Sequence, residues 1–441
     1  MQTRMSRIFA LLMGIPLLLA ILAACGSGTT SSGSAPTTTA GSTTIKLASD
    51  LPVTGGDASI GKSTENGAHL AVDQANAKKI IPGYTLQFDP QDDVGVGGVH
   101  DPAKGANNVT SLISDGLVAG VVGPFNSNVA VTEMPITNNA PIALISPSNT
   151  NPCLTKEGAA VGCTGANDKV PALRPTKKVN YFRLAATDDL QGPAMADYLY
   201  NTYHYKSAYV IDDTETYGAG LASYFIQEWK KLGGTVVDDK SHSVKSTTSY
   251  VNLLTSAGNS HPDVIYYGGV YATGGTLIRK QMLTVPTLKN TPFAGGDGIQ
   301  DISFAKAVGF SGGGIYATVA APDPTKIPSA QQFITDYKAA YGDVGPYSAT
   351  AFDAMNVLIQ AVKTALTKTH TPKDSGDTQQ ATVFRQAVID ALAGTSYDGV
   401  TGHTGFDENG DTTNKIFTIY AVADLGGGKV DWAAKSVVTL K

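Results

Sequence analysis

Residues 208–234 read AYVIDDTETYGAGLASYFIQEWKKLGG, and this stretch decides the fold. Ala208-Tyr209-Val210-Ile211 is a short apolar run that ends in two acids, Asp212-Asp213. Such a run, bounded by turn residues, suits a strand covered on both faces. From Gly218 to Leu232 the period becomes helical, with Leu221, Phe225, Trp229 and Leu232 on one stripe. Gly233-Gly234 then stops the helix, since glycine accepts the left-handed conformation that ends one. Val236-Val237 and Val264-Ile265-Tyr266-Tyr267 resume the strand pattern. Strand, helix and strand in this order form a unit whose strands lie parallel in one sheet.

The same grammar extends in both directions. Upstream, Ile45-Lys46-Leu47-Ala48 reads as a strand, and Ser63 to Ala77 as a helix with Ala68, Ala71, Val72 and Ala75 on one face. Tyr84 to Phe88 alternates like a strand, Pro102 to Ile113 is helical, and Leu117–Val122 and Ile142–Ile145 are short buried-strand runs. Downstream, Ser329-x-x-Gln332 has the form of a capping box opening a helix with Phe333, Ile334, Tyr337 and Tyr341. Ala349 to Leu366 is another helix, Phe406 to Asp411 a hairpin turn, and Ile416 to Val422 a final strand. Alternating strands and helices predict an α/β fold with helices on both faces of parallel sheets. The chain is too long for one such sheet at roughly 150 residues per domain, so two Rossmann-like lobes fit better. Ligands of open α/β sheets bind at the carboxyl ends of strands, so two lobes facing across those ends make a cleft.

Composition narrows the function classes. The 441 residues carry 32 Lys+Arg and 37 Asp+Glu, a formal charge of −5, which argues against nucleic acid as a partner. Three cysteines are too few for a disulfide scaffold and the wrong number for a closed zinc site. The seven histidines are scattered without a His-Glu-x-x-His spacing, so each reads as surface or core and no metal is expected. Nineteen tyrosines against two tryptophans stand out.

The first 44 residues differ from the rest. Arg4 and Arg7 precede Ile8 to Ala24, an uncharged stretch containing Pro16 and short for a membrane span. Basic start, apolar stretch and small residues form a secretory signal over 1–24. Its end, Leu22-Ala23-Ala24-Cys25-Gly26, resembles the lipobox of bacterial lipoproteins, which implies cleavage before Cys25 and lipidation of its thiol. Residues 26–44 are GSGTTSSGSAPTTTAGSTT, and with Cys25 they read as a flexible tether over 25–44. Localisation at the outer face of a cell membrane follows, periplasmic or extracellular. In an exported chain the two remaining cysteines, Cys153 and Cys163, either pair as a disulfide or remain two buried thiols, and the pairing is favoured.

Two catalytic patterns match. Gly56-Asp57-Ala58-Ser59-Ile60-Gly61-Lys62-Ser63 fits the phosphate-loop spacing, but Pro52 to Gly55 separate it from its strand, and a Gly-rich turn is the simpler reading. Gly309-Phe310-Ser311-Gly312-Gly313 fits the nucleophile-elbow spacing, with His370 or His403 downstream, but no helix pattern follows it. No enzyme activity and no cofactor are expected.

Several motifs in order carry a resemblance. They are Thr54-Gly55 to Gly61; Gly123-Pro124-Phe125-Asn126-Ser127; Ile145-Ser146-Pro147-Ser148-Asn149-Thr150-Asn151-Pro152; Asp188-Asp189-x-Gln191-Gly192-Pro193; Asp212 to Gly218; Tyr266-Tyr267-Gly268-Gly269; and Phe406 to Gly410. Together they resemble the branched-chain amino acid (leucine/isoleucine/valine) binding proteins of ABC transporters, type I periplasmic binding proteins, over essentially all of 45–441. The resemblance implies two lobes joined by a three-strand hinge: 45–184 with 321–402, and 185–320 with 403–441. It implies a monomer that captures an amino acid or related small zwitterion and delivers it to an ABC permease.

The family pocket maps onto this chain residue by residue. Ser127, Ser148 and Thr150 match positions that meet the ligand carboxylate, Tyr217 matches the Tyr-Gly of lobe two, and Asp297 matches a glutamate that meets the ligand ammonium. Tyr347 matches an aromatic that covers the ligand side chain. Read from pattern alone, Ser127 and Thr150 serve equally as helix caps, Tyr217 as core and Asp297 as a turn residue. There are departures. Ile60 stands where an aromatic is often found, Val270 where a second tyrosine is common with Tyr271 adjacent, and Asp297 is one methylene shorter than glutamate. The stretches Val94–His100 and Cys153–Cys163 are insertions. Relatives also bind amides, urea or aromatic acids. The other functional readings are a ligand-sensing partner of a membrane receptor and an exported serine hydrolase acting through Ser311.

Overall fold

The computed structural model describes residues 43–157, 170–310 and 313–439, so Cys25, Cys163, Ser311 and the signal stretch lie outside the described residues. The first sheet has the order β2-β1-β3-β4-β5, all parallel. Its strands are β1 (Thr43–Leu51), β2 (Tyr84–Asp92), β3 (Val118–Val122), β4 (Ala143–Ser146) and β5 (Tyr181–Arg183). Between them run α1 (Ala58–Ala77), α2 (Pro102–Ser114), α3 (Ser127–Asn139) and α4 (Val170–Leu173). The chain then crosses to α5 (Asp188–Thr202), β6 (Ser207–Asp212), α6 (Thr216–Lys231), β7 (Thr235–Ser243), α7 (Val251–Asn259), β8 (Val264–Gly268), α8 (Thr276–Met282), β9 (Phe293–Gly295), α9 (Ile302–Val308) and β10 (Ile315–Val319). It returns as α10 (Gln331–Tyr341), α11 (Ser348–Ala365), α12 (Thr378–Leu392) and the hairpin β11 (Ser396–Gly399) with β12 (Gly402–Gly405). It ends in β13 (Ile416–Gly426) and β14 (Lys429–Thr439), which complete the second sheet, β14-β13-β10-β9-β8-β6-β7.

Alternation along strands splits each core in two. On β6 and β8, Ala208, Val210, Val264 and Tyr266 face Leu221, Phe225 and Trp229 of α6. Tyr209, Ile211, Ile265 and Tyr267 face the opposite side, with Leu254, Ile278, Met282 and Phe304 of α7, α8 and α9. Phe225 stacks on Tyr266 with centroids 3.7 Å apart. Each such large side chain contributes about 1.5–3 kcal/mol on burial. In the first sheet, Ile45, Leu47, Val122 and Ile145 pack on Phe352, Leu358 and Val388 of α11 and α12. The other face is covered by Val109 and Leu112 of α2 and Met134 of α3. The returning helices therefore belong to the first sheet, and the chain passes between the sheets three times.

Those crossings are stitched side by side. Ala186 N–H donates to Ala320 (3.2 Å), Arg183 N–H to Gly410 (3.0 Å), and the Thr418 hydroxyl to Ala321 (2.9 Å). Arg183 is fully buried at the end of β5, and its Nε donates to Asp411 Oδ1 at 2.7 Å. Its Nη1 donates to Asn149 (3.3 Å) and Asn151 (2.7 Å), and Nη2 donates to the Thr155 hydroxyl. One guanidinium thus ties the loop after β4 to a hinge segment, in the fork geometry that arginine alone provides.

Several local expectations change. Strand β1 starts at Thr43, inside the expected tether, because Thr43 pairs with Tyr84 and donates to Gly83. Helix α1 starts at Ala58, so Ala58 to Ser63 of the phosphate-loop pattern are already helical and no loop exists to cradle a phosphate. Ser329 is no cap: its hydroxyl donates to Gly399 (3.3 Å), and α10 opens at Gln331 without a side-chain cap. β13 is not final, since Gly426-Gly427-Gly428, all at positive φ, turn it into the antiparallel β14. Helices α3 and α5 escaped the periodicity reading because Pro135 and Pro193 sit inside them.

Although burial works against it, Arg183 holds the Asp411 carboxyl below its ordinary range. A depressed carboxylate adds stability above its unfolded pKa, about 3.9, and loses it as pH falls through the folded value. Asp411→Ala should cost about 3–5 kcal/mol by stranding a buried cation. Urea unfolding at pH 7 and pH 3 should show this loss shrinking at the lower pH.

Candidate functional site

Residues that follow the carboxyl ends of β3, β4, β5, β6 and β9 meet where the sheets face one another. After β3 the chain turns through Gly123 to Asn126 into α3, whose first residue is Ser127, buried at its amino end. After β4, the Ser146 hydroxyl donates to Pro124 (2.7 Å) and accepts from the N–H groups of Ser148 (3.3 Å) and Asn149 (2.9 Å). The Ser148 hydroxyl donates to the Phe125 carbonyl (3.1 Å), and the Asn149 amide donates to the same oxygen (2.7 Å). These bonds clamp the two loops together and leave the buried Thr150 hydroxyl out of the clamp, facing Asp188.

The other side is acidic. Asp188 opens α5, is fully buried, and its N–H donates to the Thr150 carbonyl (2.8 Å). Its carboxylate lies against the Thr150 hydroxyl and forms no ion pair among the described residues. Asp297 follows β9 and is surrounded by donors. Gln191 Nε2 lies 2.6 Å and the Tyr217 hydroxyl 2.9 Å from Oδ1, and the Tyr347 hydroxyl lies 2.9 Å from Oδ2. Tyr217 also accepts from the Gly298 N–H (3.1 Å), and Gln191 Nε2 also donates to Thr318 (2.9 Å), leaving Gln191 Oε1 buried and unpartnered. Gly296 must be glycine, because a Cβ there would strike the Tyr217 hydroxyl and Leu221.

The bond from Tyr347 to Asp297 crosses between the lobes, since Tyr347 precedes α11 on the first. Tyr347 also meets Phe125 edge-on, with centroids 5.6 Å apart. Ile60, Phe125, Tyr271 and Tyr347 share one apolar cluster that draws on both lobes. The Tyr271 hydroxyl is buried and faces the backbone of Ser59 and Ile60 at the start of α1. A groove of about 1050 Å³, lined by Ser59, Asp301, Lys306, Lys338, Pro346 and Trp432, borders this cluster, and none of Ser127, Ser148, Thr150, Tyr217, Asp297 and Tyr347 lines it. Among the described residues, no group of three or more His, Cys, Asp or Glu is disposed to hold a metal ion.

Burial pushes the Asp188 carboxyl well above its ordinary range and Asp297 adds to this, against the pull of Thr150 and Arg183. Burial raises Asp297 as well, opposed by the bonds from Gln191, Tyr217 and Tyr347. The site therefore offers N–H and hydroxyl groups on one lobe and oxygens short of positive charge on the other. Sequence reading passed over Asp188 and Gln191 as site residues. An acid in the first turn of a helix ordinarily reads as a dipole partner. The available signal was their place directly after a buried strand, beside Thr187 and Gly192.

Two α/β lobes with a buried polar cleft between strand ends define a binding protein of the Venus-flytrap class, whose lobes close on a solute. The chain belongs to the periplasmic binding protein family, whose model matches residues 44–429. Among curated relatives, the Leu/Ile/Val-binding protein BraC3 of Rhizobium johnstonii is 27% identical over 371 residues, covering 84% of this chain and 89% of its own. Among solved structures, the leucine-binding protein LivK of Thermotoga maritima matches with a TM-score of 0.71 and 23% identity, over 90% of this chain and 99% of that one. The branched-chain amino acid transporter substrate-binding protein LivJ of Streptococcus pneumoniae, in complex with isoleucine, matches at 0.69 and 25%, over 90% and 100%. The family binds solutes and is not one of enzymes.

A buried acid with a raised pKa destabilises the fold as pH rises through that value. Asp188→Asn should therefore melt higher than the unsubstituted chain at pH 8, with the gap narrowing at pH 5. Thermal unfolding followed by circular dichroism checks this.

Proposed function

We propose that this chain captures an amino acid, branched-chain or a related small zwitterion, outside the cytoplasm and delivers it to an ABC permease. The observation that carries this reading is the fully buried Asp188 carboxylate, which lies against the Thr150 hydroxyl and forms no ion pair with a cation among the described residues. A carboxylate in such a place is strongly disfavoured until a cation reaches it, and a ligand ammonium supplies one. Asp188, with Gln191 Oε1, takes the ammonium, and Asp297 completes the negative field from behind. Ser127 at the start of α3 and Thr150 take the ligand carboxylate, where a helix amino end favours an anion. Ser148 acts through its backbone, since its hydroxyl is spent on Phe125. Ile60, Phe125, Tyr271 and Tyr347 surround the side chain. Ligand bonded to both lobes favours the closed state through contacts that the open state lacks. The naming of relatives such as BraC3 and the isoleucine complex of LivJ support the ligand class.

The lobes of this reading comprise 45–184 with 321–402 and 185–320 with 403–441, acting as a monomer. Cys25 carries the lipid, and Cys153, buried after the Thr150 loop, pairs with Cys163.

Isothermal titration against the twenty amino acids, urea, short amides and aromatic acids should give saturable binding of leucine, isoleucine or valine, recovered unchanged. Thr150→Ala should weaken that binding by roughly 10- to 100-fold, the worth of a hydrogen bond to a charged group. Unchanged affinity in both Thr150→Ala and Asp188→Asn would remove the pocket assignment. For the anchor, cells fed labelled palmitate should label the protein, and Cys25→Ser should abolish the label; persistent label refutes it.

A further inference from the structure

We propose that His100 is a latch between the lobes, held as a cation by Asp57 on one lobe and Glu215 on the other, so that protonation favours closure and ligand capture is pH-dependent. His100 ends the Val94–His100 insertion, whose two ends bridge each other just before α2. Its Nδ1 lies 2.9 Å from Asp57 Oδ2, which also accepts the His100 backbone N–H at 3.1 Å. Its Nε2 lies 2.8 Å from Glu215 Oε2. The ring is completely buried, Asp57 is 3% exposed and Glu215 27%. Asp57 directly precedes α1 on the first lobe, whereas Glu215 directly precedes α6 on the second, two residues before Tyr217.

The geometry itself requires the charge. A carboxylate only accepts, and a neutral imidazole has one N–H, so it can satisfy one of these partners and must set a lone pair against the other. Only imidazolium donates to both. The titratable groups that act most on the ring are acids: Asp57 before α1, Glu215 before α6, and Asp93 beyond β2, on whose carboxyl the His100 charge acts downward. Asp50 and Glu133 stand behind Asp93, and Asp213 stands behind Glu215. Although burial opposes it, the bonds to Asp57 and Glu215 raise His100 well above its ordinary value.

Opening the lobes parts Glu215 from the ring and returns it towards about 6.5. Closure therefore takes up protons. The bias towards the closed form is full below about pH 6.5 and fades as pH rises through the higher closed-state value. Nδ1 and Asp57 remain together in either state, because both lie on the first lobe.

The test compares the unsubstituted chain with His100→Gln and Glu215→Gln at pH 6 and pH 9, by isothermal titration with L-leucine and by small-angle scattering of the unliganded protein. L-leucine affinity should fall about tenfold or more from pH 6 to pH 9 in the unsubstituted chain. Both variants should be weak at pH 6 with a flattened profile. Glu215→Gln leaves the His100–Asp57 contact intact, so a merely structural histidine would not flatten its profile. Wild-type affinity and pH profile in both variants overturn the latch. The affinity arm rests on the proposed capture of an amino acid, and the scattering arm does not. If L-leucine gives no heat, the ligand reading fails alone and scattering decides. A radius of gyration that grows from pH 6 to pH 9, with the growth lost in Glu215→Gln, supports the latch; identical behaviour in the two proteins overturns it.

Discussion

Asp188 and Asp297 are buried where the two lobes meet, and the cost of taking two carboxylates out of water sets the terms for everything around them. Asp297 is compensated within the protein by three donors, two from its own lobe and Tyr347 from the other. Asp188 has no such set of donors and relies on the Thr150 hydroxyl. A fold selected only for stability would replace such a group, because an unpaired buried charge costs several kcal/mol. Its retention is the stability that a binding site gives up for its ligand. The difference between the two acids also gives the cleft a direction, with one acid serving as fixed background and the other as a partner for an incoming cation.

That arrangement depends on loops held in place from behind. The Ser146 and Ser148 hydroxyls and the Asn149 amide lock the β3 and β4 loops together, while Arg183 ties the second of them to Asp411 in the hinge. Fixing these loops before ligand arrives lowers the ordering cost of binding. The same guanidinium joins the ligand loop to a segment that must bend when the lobes move, so site and hinge share one set of bonds.

The α/β class and the parallel sheets were legible because strand and helix periods alternate cleanly, as in residues 208–234. The boundaries were not, where local chemistry hides the period. Prolines inside α3 and α5 broke the helical pattern, and the strand read over Ile416 to Val422 runs on to a triple glycine that turns it into β14. The resemblance pointed at Thr150, Tyr217, Asp297 and Tyr347, which the fold brings close together. It carried Asp188 and Gln191 only within a motif and gave them no place in the pocket, because no sequence pattern records how little compensates them inside the fold. His100 was equally hidden, because Asp57 and Glu215 approach it from 43 and 115 residues away. The tyrosine excess turned out to be mostly architecture: Tyr181, Tyr209, Tyr266, Tyr267 and Tyr337 are among the largest fully buried side chains, and only a few tyrosines face the cleft.

A crystal structure of the protein grown with L-leucine tests the central claim most directly. The account places the ligand nitrogen at about 3 Å from an Asp188 oxygen and the ligand carboxylate at the start of α3 and on Thr150. Leucine bound in the reverse sense, or seated away from Asp188 altogether, would contradict it.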